Sequence, residues 1–290
     1  MRITNIMMGQ NLLSNLEAVQ TTIQKYQNQL ASGKKINQPA DDPVGTQLTL
    51  GLKGALSDNS QWQGNASQGL SVLQTTNATL QNMMGMLQRA RTLAVEVNNG
   101  TFTPADRATT ADEVQQIQQE VGSLANTQVG DMYIFSGTSS SQPWQGAANW
   151  TGNAGLVNIA VGKGEQIPIN ADFTGLFQGT GSIFNVLSGF VSDLKSNNLS
   201  GLQNDLQNID NQVQSFTAKE AELGALTDRV QTVQNNLQQS STNLNQNLST
   251  VQDADVATVI THLTNAQNVY QAALSVGARY IQPSLADYMK

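Results

Sequence analysis

The chain has 290 residues, 39% of them hydrophobic and only 12% charged, with a net charge of −7. That length makes one large domain or about two ordinary ones, and the 14 Lys+Arg form no cluster dense enough for a phosphate backbone, which excludes a nucleic-acid partner. Cys is absent and His262 is the single histidine, which excludes disulfides, Cys–zinc sites, thiol catalysis, His-rich metal sites and most catalytic triads.

The first strong pattern is Leu12, Leu16, Val19, Ile23, Tyr26 and Leu30. Its alternating steps of four and three predict one stripe of a coiled-coil-like helix, stopped by Gly33. Asp41 or Asp42 then caps a second helix whose first turn holds Pro43. In that helix Leu52, Leu56, Ala66, Leu70, Leu73, Leu80, Met84 and Leu87 share one heptad grid, with Asn59, Gln63 and Asn77 in the remaining slots. Gly45, Gly51, Gly54, Gly64, Gly69 and Gly85 each weaken it by up to about 1 kcal/mol relative to Ala, so it needs partners. It ends near Asn98-Asn99-Gly100. Thr103 caps a third helix, with Pro104 at its first position and Ala111, Val114, Ile117, Val121 and Leu124 on one face.

At Met132 the period changes. Tyr133-Ile134-Phe135 predicts a strand ending at Ser136-Gly137, and the Gly-, Ser-, Thr- and Asn-rich segment beyond it predicts a small β insert. Its strands are expected at 156–161 and 166–169, joined by a hairpin turn at Gly162-Lys163-Gly164-Glu165. Helical pattern resumes with Phe184, Leu187, Val191 and Leu194. It continues through Leu202, Leu206, Ile209, Val213 and Phe216, then Leu223, Leu226, Val230, Val233, Leu237, Leu244, Leu248 and Val251. The change of step between Phe216 and Leu223 reads as a stutter. A last helix starts near Asp253 or Asp255 and carries Val256, Val259, Leu263, Ala266, Tyr270, Ala273 and Gly277. Residues 200–278, if mostly helical, would extend about 115 Å.

The expected fold is mainly α with a β-rich insert: an elongated antiparallel coiled-coil helix-bundle rod built from both chain ends, with a small β domain in the middle. An ordinary bundle core would produce the same stripes. The two terminal helices, however, are set apart by the 33–43 loop and the 252–254 break and have few partners within the chain. An apolar stripe without a cover is an assembly surface or is disordered until it finds one. No window approaches 18 apolar residues, so no membrane insertion is expected, and the first ten residues turn polar too soon for a cleaved signal.

Catalytic chemistry finds no footing. Asp41 and Asp42 precede a helix-opening proline and read as caps, His262 has no triad partner nearby in sequence, the 162–165 glycine turn lacks a phosphate-binding pattern, and Arg89 and Arg91 read as a solvated helix flank. No enzyme activity, metal or cofactor is expected.

Three segments carry a resemblance. The first is Met1-Arg2-Ile3-Thr4-Asn5 with Leu30-Ala31-Ser32-Gly33-Lys34-Lys35-Ile36-Asn37-Gln38-Pro39-Ala40-Asp41-Asp42-Pro43. The second holds Asn65-Ala66, Gly69-Leu70-Ser71-Val72-Leu73-Gln74, Leu87-Gln88-Arg89-Ala90-Arg91-Thr92-Leu93 and Tyr133-Ile134-Phe135-Ser136-Gly137. The third runs from Asp253-Ala254-Asp255-Val256-Ala257 through Tyr270-Gln271-Ala272-Ala273-Leu274 to Gln282-Pro283-Ser284-Leu285-Ala286-Asp287-Tyr288-Met289. In this order they resemble the flagellin superfamily. Within it the chain is similar to the hook–filament junction family, the hook-associated protein 3 type, with the flagellin filament subunits as the alternative. Lys35 and Gln38-Pro39-Ala40 depart mildly from the family's Arg and Pro-Ser.

The resemblance implies a structural adaptor of the bacterial flagellum, exported without a cleaved signal and located outside the cell at the hook–filament junction. It implies terminal assembly helices at 1–40 and 254–290, disordered in the monomer and ordered as an inner layer on assembly. A helical rod domain would follow at 41–135 and 184–253, with an outward-facing β-rich domain at 136–183. Its partners would be the hook-associated protein 1 type junction protein, flagellin, further copies of itself in a ring, and a flagellar export chaperone. The expected assembly residues are Leu12, Leu16, Val19, Ile23, Tyr26, Leu30, Val256, Leu263, Tyr270 and Leu274.

Overall fold

A computed structural model of the chain describes residues 5–99, 101–147 and 149–288, and the side chains of residues 7–278 among them. The elements in order are α1 (Asn5–Ser32), α2 (Pro43–Val97), α3 (Pro104–Ala125), β1 (Gln128–Val129), β2 (Met132–Tyr133), β3 (Asn158–Gly162), β4 (Glu165–Pro168), α4 (Thr174–Phe177), α5 (Ile183–Ser196), α6 (Leu199–Gln252) and α7 (Val256–Tyr288). The mainly helical chain with a β insert is the expected fold class. It divides into two compact units, Met1–Asp58 with Ser240–Lys290, and Asn59–Gln239.

The 59–239 unit is a four-helix arrangement carrying the insert. Cross-helix bonds fix the directions: Arg89 on α2 pairs with Glu113 on α3 at 2.7 Å, and Gln118 on α3 donates to the Phe184 carbonyl at 3.1 Å and the Ser188 hydroxyl at 2.7 Å on α5. Gln81 on α2 donates to Glu220 on α6 at 2.8 Å, and Asn98 donates to the Leu202 carbonyl at 3.1 Å. The two α2–α6 bonds, 81 to 220 and 98 to 202, set those helices antiparallel. On α2, Asn59, Ala66, Leu73, Leu80, Leu87 and Ala94 are buried, and on α6 Leu202, Ile209, Phe216, Leu223, Val230 and Leu237 are buried. Both rows keep a strict seven-residue step. The stutter expected between Phe216 and Leu223 is therefore absent from the buried seam. What changes there is the half-buried companion row, which lies four residues on at Leu206 and Val213 and three residues on at Leu226 and Val233.

Helix ends follow local chemistry. Thr103 and Asp106 form a reciprocal capping box ahead of Pro104, and Ser182 caps α5. Arg107 is buried beside the ends of two helices: its Nη1 donates to Asn197 Oδ1 at 2.8 Å, and its Nε and Nη2 reach the Val97 carbonyl at 3.4 Å. Asn197 adopts φ 55, the left-handed C-cap conformation of α5. Sequence reading missed Arg107 because nothing local distinguishes it from a solvated helix residue.

The insert holds two separate antiparallel pairs, β1–β2 and β3–β4. The expected strand at 133–135 continues only through Tyr133. Beyond it the Ser136 hydroxyl donates to the Tyr133 carbonyl at 3.0 Å, so the chain coils and drives Ile134 and Phe135 into the core. The turn at 162–165 is as expected, with Gly164 at φ +81 between β3 and β4. The strand β1 and the short α4 lie outside the expected elements. The insert seats on the helices through Asn65, whose amide donates to the Ala160 carbonyl at 2.8 Å, and through Gly69, where a Cβ would stand 2.7 Å from both Ile159 and Ile169. Six phenylalanines, Phe135, Phe173, Phe177, Phe184, Phe190 and Phe216, are fully buried, which concentrates the chain's few aromatics in this unit. Trp150 stacks on Phe177 with centroids 4.5 Å apart.

Candidate assembly surface

The other unit pairs the two ends of the chain. Tyr26 on α1 stacks on His262 on α7, centroids 5.5 Å apart, and Leu12 fills the notch at Gly277, 2.6 Å from where a Cβ would stand. The two pairings sum to nearly the same number, so α1 and α7 run antiparallel in register. The stripes expected to lack a cover in the chain instead cover each other. Leu12, Leu16, Val19, Ile23, Tyr26, Leu30, Leu263 and Tyr270 are half-buried, while Val256 and Leu274 are exposed at 52% and 46%. Among the described residues of α7, Val259 and Gly277 take the buried positions. Val256 shares the row of Leu263, Tyr270 and Gly277 but is the first residue of its helix, while Leu274, one residue past Ala273, sits at the edge of the stripe.

The helix breaks beside this pair are tied together. Lys35 N–H donates to the Gln252 carbonyl at 2.7 Å and Ala254 N–H to the Gly33 carbonyl at 3.0 Å, on either side of an antiparallel bridge between Lys34 and Asp253. Gly33 ends α1 at φ +68. Asp42 caps α2 by accepting from Gly45 N–H at 2.9 Å. Asp41 accepts from the Asn37 and Gln38 amides at 3.1 and 3.0 Å and pairs with Lys25 at 3.1 Å. Burial alone would raise its carboxyl, but these hydrogen bonds outweigh it and hold Asp41 below the usual carboxylate range. Asp42 is therefore a helix cap, and Asp41 is a clamp on the 37–41 loop. Asp255 opens α7 by accepting from Ala257 N–H at 3.0 Å and the Thr258 hydroxyl at 2.7 Å.

Further apolar residues of the pair are exposed, Met7 and Leu13 on α1 and Val256, Ile260, Val269, Leu274 and Val276 on α7, from 46% to 61%. Isolated exposed apolar residues are ordinary, whereas a series along one two-helix element is a candidate interaction surface. The polar residues between them are mostly Gln, Asn, Ser and Thr, which lack the Lys/Arg-rich face of a membrane-surface helix. Among the described residues, no helix is long and apolar enough to cross a membrane, and no group of three or more His, Asp or Glu is placed to hold a metal ion. Arg89 and Arg91 lie on the helix flank, each paired with a carboxylate, Glu113 and Asp210 respectively. The motif residues Met1–Thr4 and Met289 lie outside the described residues, and the side chains of 282–288 are likewise not described.

Residues 3–140 match the bacterial flagellin N-terminal helical region, and residues 206–289 match the bacterial flagellin C-terminal helical region. Flagellin of Bacillus subtilis strain 168 is 27% identical, with 96% of each chain covered. The crystal structure of Bacillus cereus FlgL has a TM-score of 0.60 at 21% identity, covering 67% of this chain and 97% of that one. Flagellar hook-associated protein 3 from Legionella pneumophila has a TM-score of 0.62 at 14% identity, covering 69% of this chain and 98% of that one. With both ends of its helical scaffold matched to the two flagellin regions, the chain belongs to the flagellin superfamily, whose members are structural proteins of the flagellum rather than enzymes.

Proposed function

We propose that the chain is the adaptor at the hook–filament junction, seated between a junction protein of the hook-associated protein 1 type and the first flagellin subunits. What carries this reading is a resemblance to junction proteins rather than filament subunits in Met1-Arg2-Ile3, in the Pro283–Tyr288 ending and in the Tyr133–Gly137 segment. That last segment is a built element: Ile134, Phe135 and Ser136 are buried, and Gly137 adopts φ +72 against the Asn153 carbonyl. The likeness to hook-associated protein 3 folds supports the same reading, while the flagellin relatives keep the filament subunit as the alternative.

The terminal pair serves assembly in this reading. Ordering helices costs about 1–2 kcal/mol per residue in backbone entropy, which burial must exceed. A pair only two helices thick, with half-buried seam residues, has little surplus until a neighbour covers its outward face. The pair therefore orders fully in a ring of copies, delivered by an export chaperone, and the ten assembly residues divide into a seam set and an outward set.

Deleting the chain from its bacterium tests the junction role. Hooks without filaments, with flagellin shed into the medium, are the expected result. Loss of the flagellin polypeptide itself would make the chain the filament subunit, and normal filaments would refute both. Leu16→Asp and Tyr270→Asp, expected to leave the 59–239 unit folded, should abolish junction assembly; a mutant that still completes the junction would refute the role given to the stripes.

A further inference from the structure

The Asn59–Gln239 unit carries one acidic pair that neither its fold nor assembly explains. Asp205 on α6 is only 6% exposed, and its Oδ2 is buried with no hydrogen-bond partner. Asp193 on α5 lies across from it on the facing helix. Two glycines make room for the pair, each facing the carboxyl of the opposite helix. The position of a Cβ on Gly189 of α5 would be 3.8 Å from Asp205 Oδ1, and Asp193 Oδ2 occupies the space a Cβ on Gly201 of α6 would need. Asn198 donates to Asp193 Oδ1 at 3.1 Å and closes the turn between the two helices.

Charged groups on the surrounding helices are engaged elsewhere. On α5, Lys195 reaches Gln115 at 3.3 Å and Asp112 of α3 at 3.9 Å. Arg107 of α3 is spent on Val97 and Asn197, Arg91 of α2 pairs with Asp210 of α6, and Glu96 of α2 is exposed. A buried carboxyl beside a second carboxyl and without a cation is held by a shared proton. We propose that Asp193 and Asp205 share one proton and form a pH-sensitive latch on the α5–α6 junction, closed in acid and loosened in alkaline medium.

Burial, then the charge of Asp193 and the hydrogen bond to it, pushes Asp205 up to about 7. A group raised in the fold stabilises fully below its unfolded value, and that stability is lost as pH rises through the folded one. Asp41, Asp106, Asp172 and Asp255 are all lowered, so they are ionised in both states above pH about 5 and do not contribute to this window.

Thermal melts of the full chain and of Asp205→Asn at pH 5 and pH 8 test the latch. The wild type should melt lower at pH 8. The variant, whose amide can donate to Asp193 at any pH, should lose this step and melt above the wild type at pH 8. Equal pH dependence in both would overturn the proposal. Should the variant fail to fold, the carboxyl carbon of Asp205 in the wild type, followed by NMR, should titrate near 7; a midpoint near 4 would overturn it. A rise in wild-type melting with added calcium at pH 8, absent from Asp205→Asn, would assign the pair to a cation and overturn the shared proton.

Discussion

Gly122 lies on α3 beneath the Trp144 ring, and a Cβ there would stand 2.5 Å from Cδ2 and Cε2 of the indole. Ordinary contact begins at about 3.4 Å, so Gly122→Ala forces the ring back by about 1 Å. The ring cannot yield like the end of a flexible chain. It stacks on Phe184 with centroids 5.8 Å apart, its Nε1 donates to the Ala147 carbonyl at 2.9 Å, and its backbone is clamped by the Asn126 amide in two bonds of 2.9 Å. Overpacking of this kind costs about 1–3 kcal/mol. The better helix propensity of Ala returns at most about 1 kcal/mol. Taking that full return, the net expectation is a loss of up to about 2 kcal/mol, which at about 2–4 °C per kcal/mol lowers the melting temperature by up to about 8 °C. Gly85→Ala is the matched control, because nothing lies within 4 Å of its Cβ position. It should raise the melting temperature by a few degrees, on the order of 1 kcal/mol. Scanning calorimetry of both variants reads the sign directly. A Gly122→Ala protein as stable as the Gly85→Ala control would refute the packing argument.

Two further outcomes follow from single residues. Arg107→Met removes the donors to the Val97 carbonyl and Asn197 from a buried site and should cost about 1–3 kcal/mol by urea unfolding; a change within about 0.5 kcal/mol would show that Arg107 does not hold these helix ends. Asp41, lowered in the fold, stabilises its loop above the unfolded value of 3.8, and that contribution is lost as pH falls through the folded value. Amide exchange of Asn37 and Gln38, relative to the intrinsic rate, should therefore accelerate below pH about 4 in the wild type and already at pH 7 in Asp41→Asn. Unaltered protection in the variant would refute this clamp.

Local pattern made much of this protein legible. The heptad rows, Gly33, the Pro43 and Pro104 helix starts, the Thr103 cap and the 162–165 turn each express an interaction within a few residues, so their outcome is written in adjacent positions. The candidates Val256 and Leu274 were legible as apolar, but not their exposure in the folded pair. The cover of the terminal stripes was not legible, because it comes from residues some 240 positions away, paired as Tyr26 with His262 and Leu12 with Gly277. The same holds for Phe135, whose β pattern lost to burial in the aromatic core, and for Arg107, whose role exists only where α2 and α5 end beside it. Sequence by itself determined the helices, their stripes and the position of the insert, because backbone propensity and periodicity act locally. Only the tertiary structure decided which stripe meets which, and where two aspartates on different helices would meet, because burial and the field of neighbouring charges depend on distance in space and not along the chain.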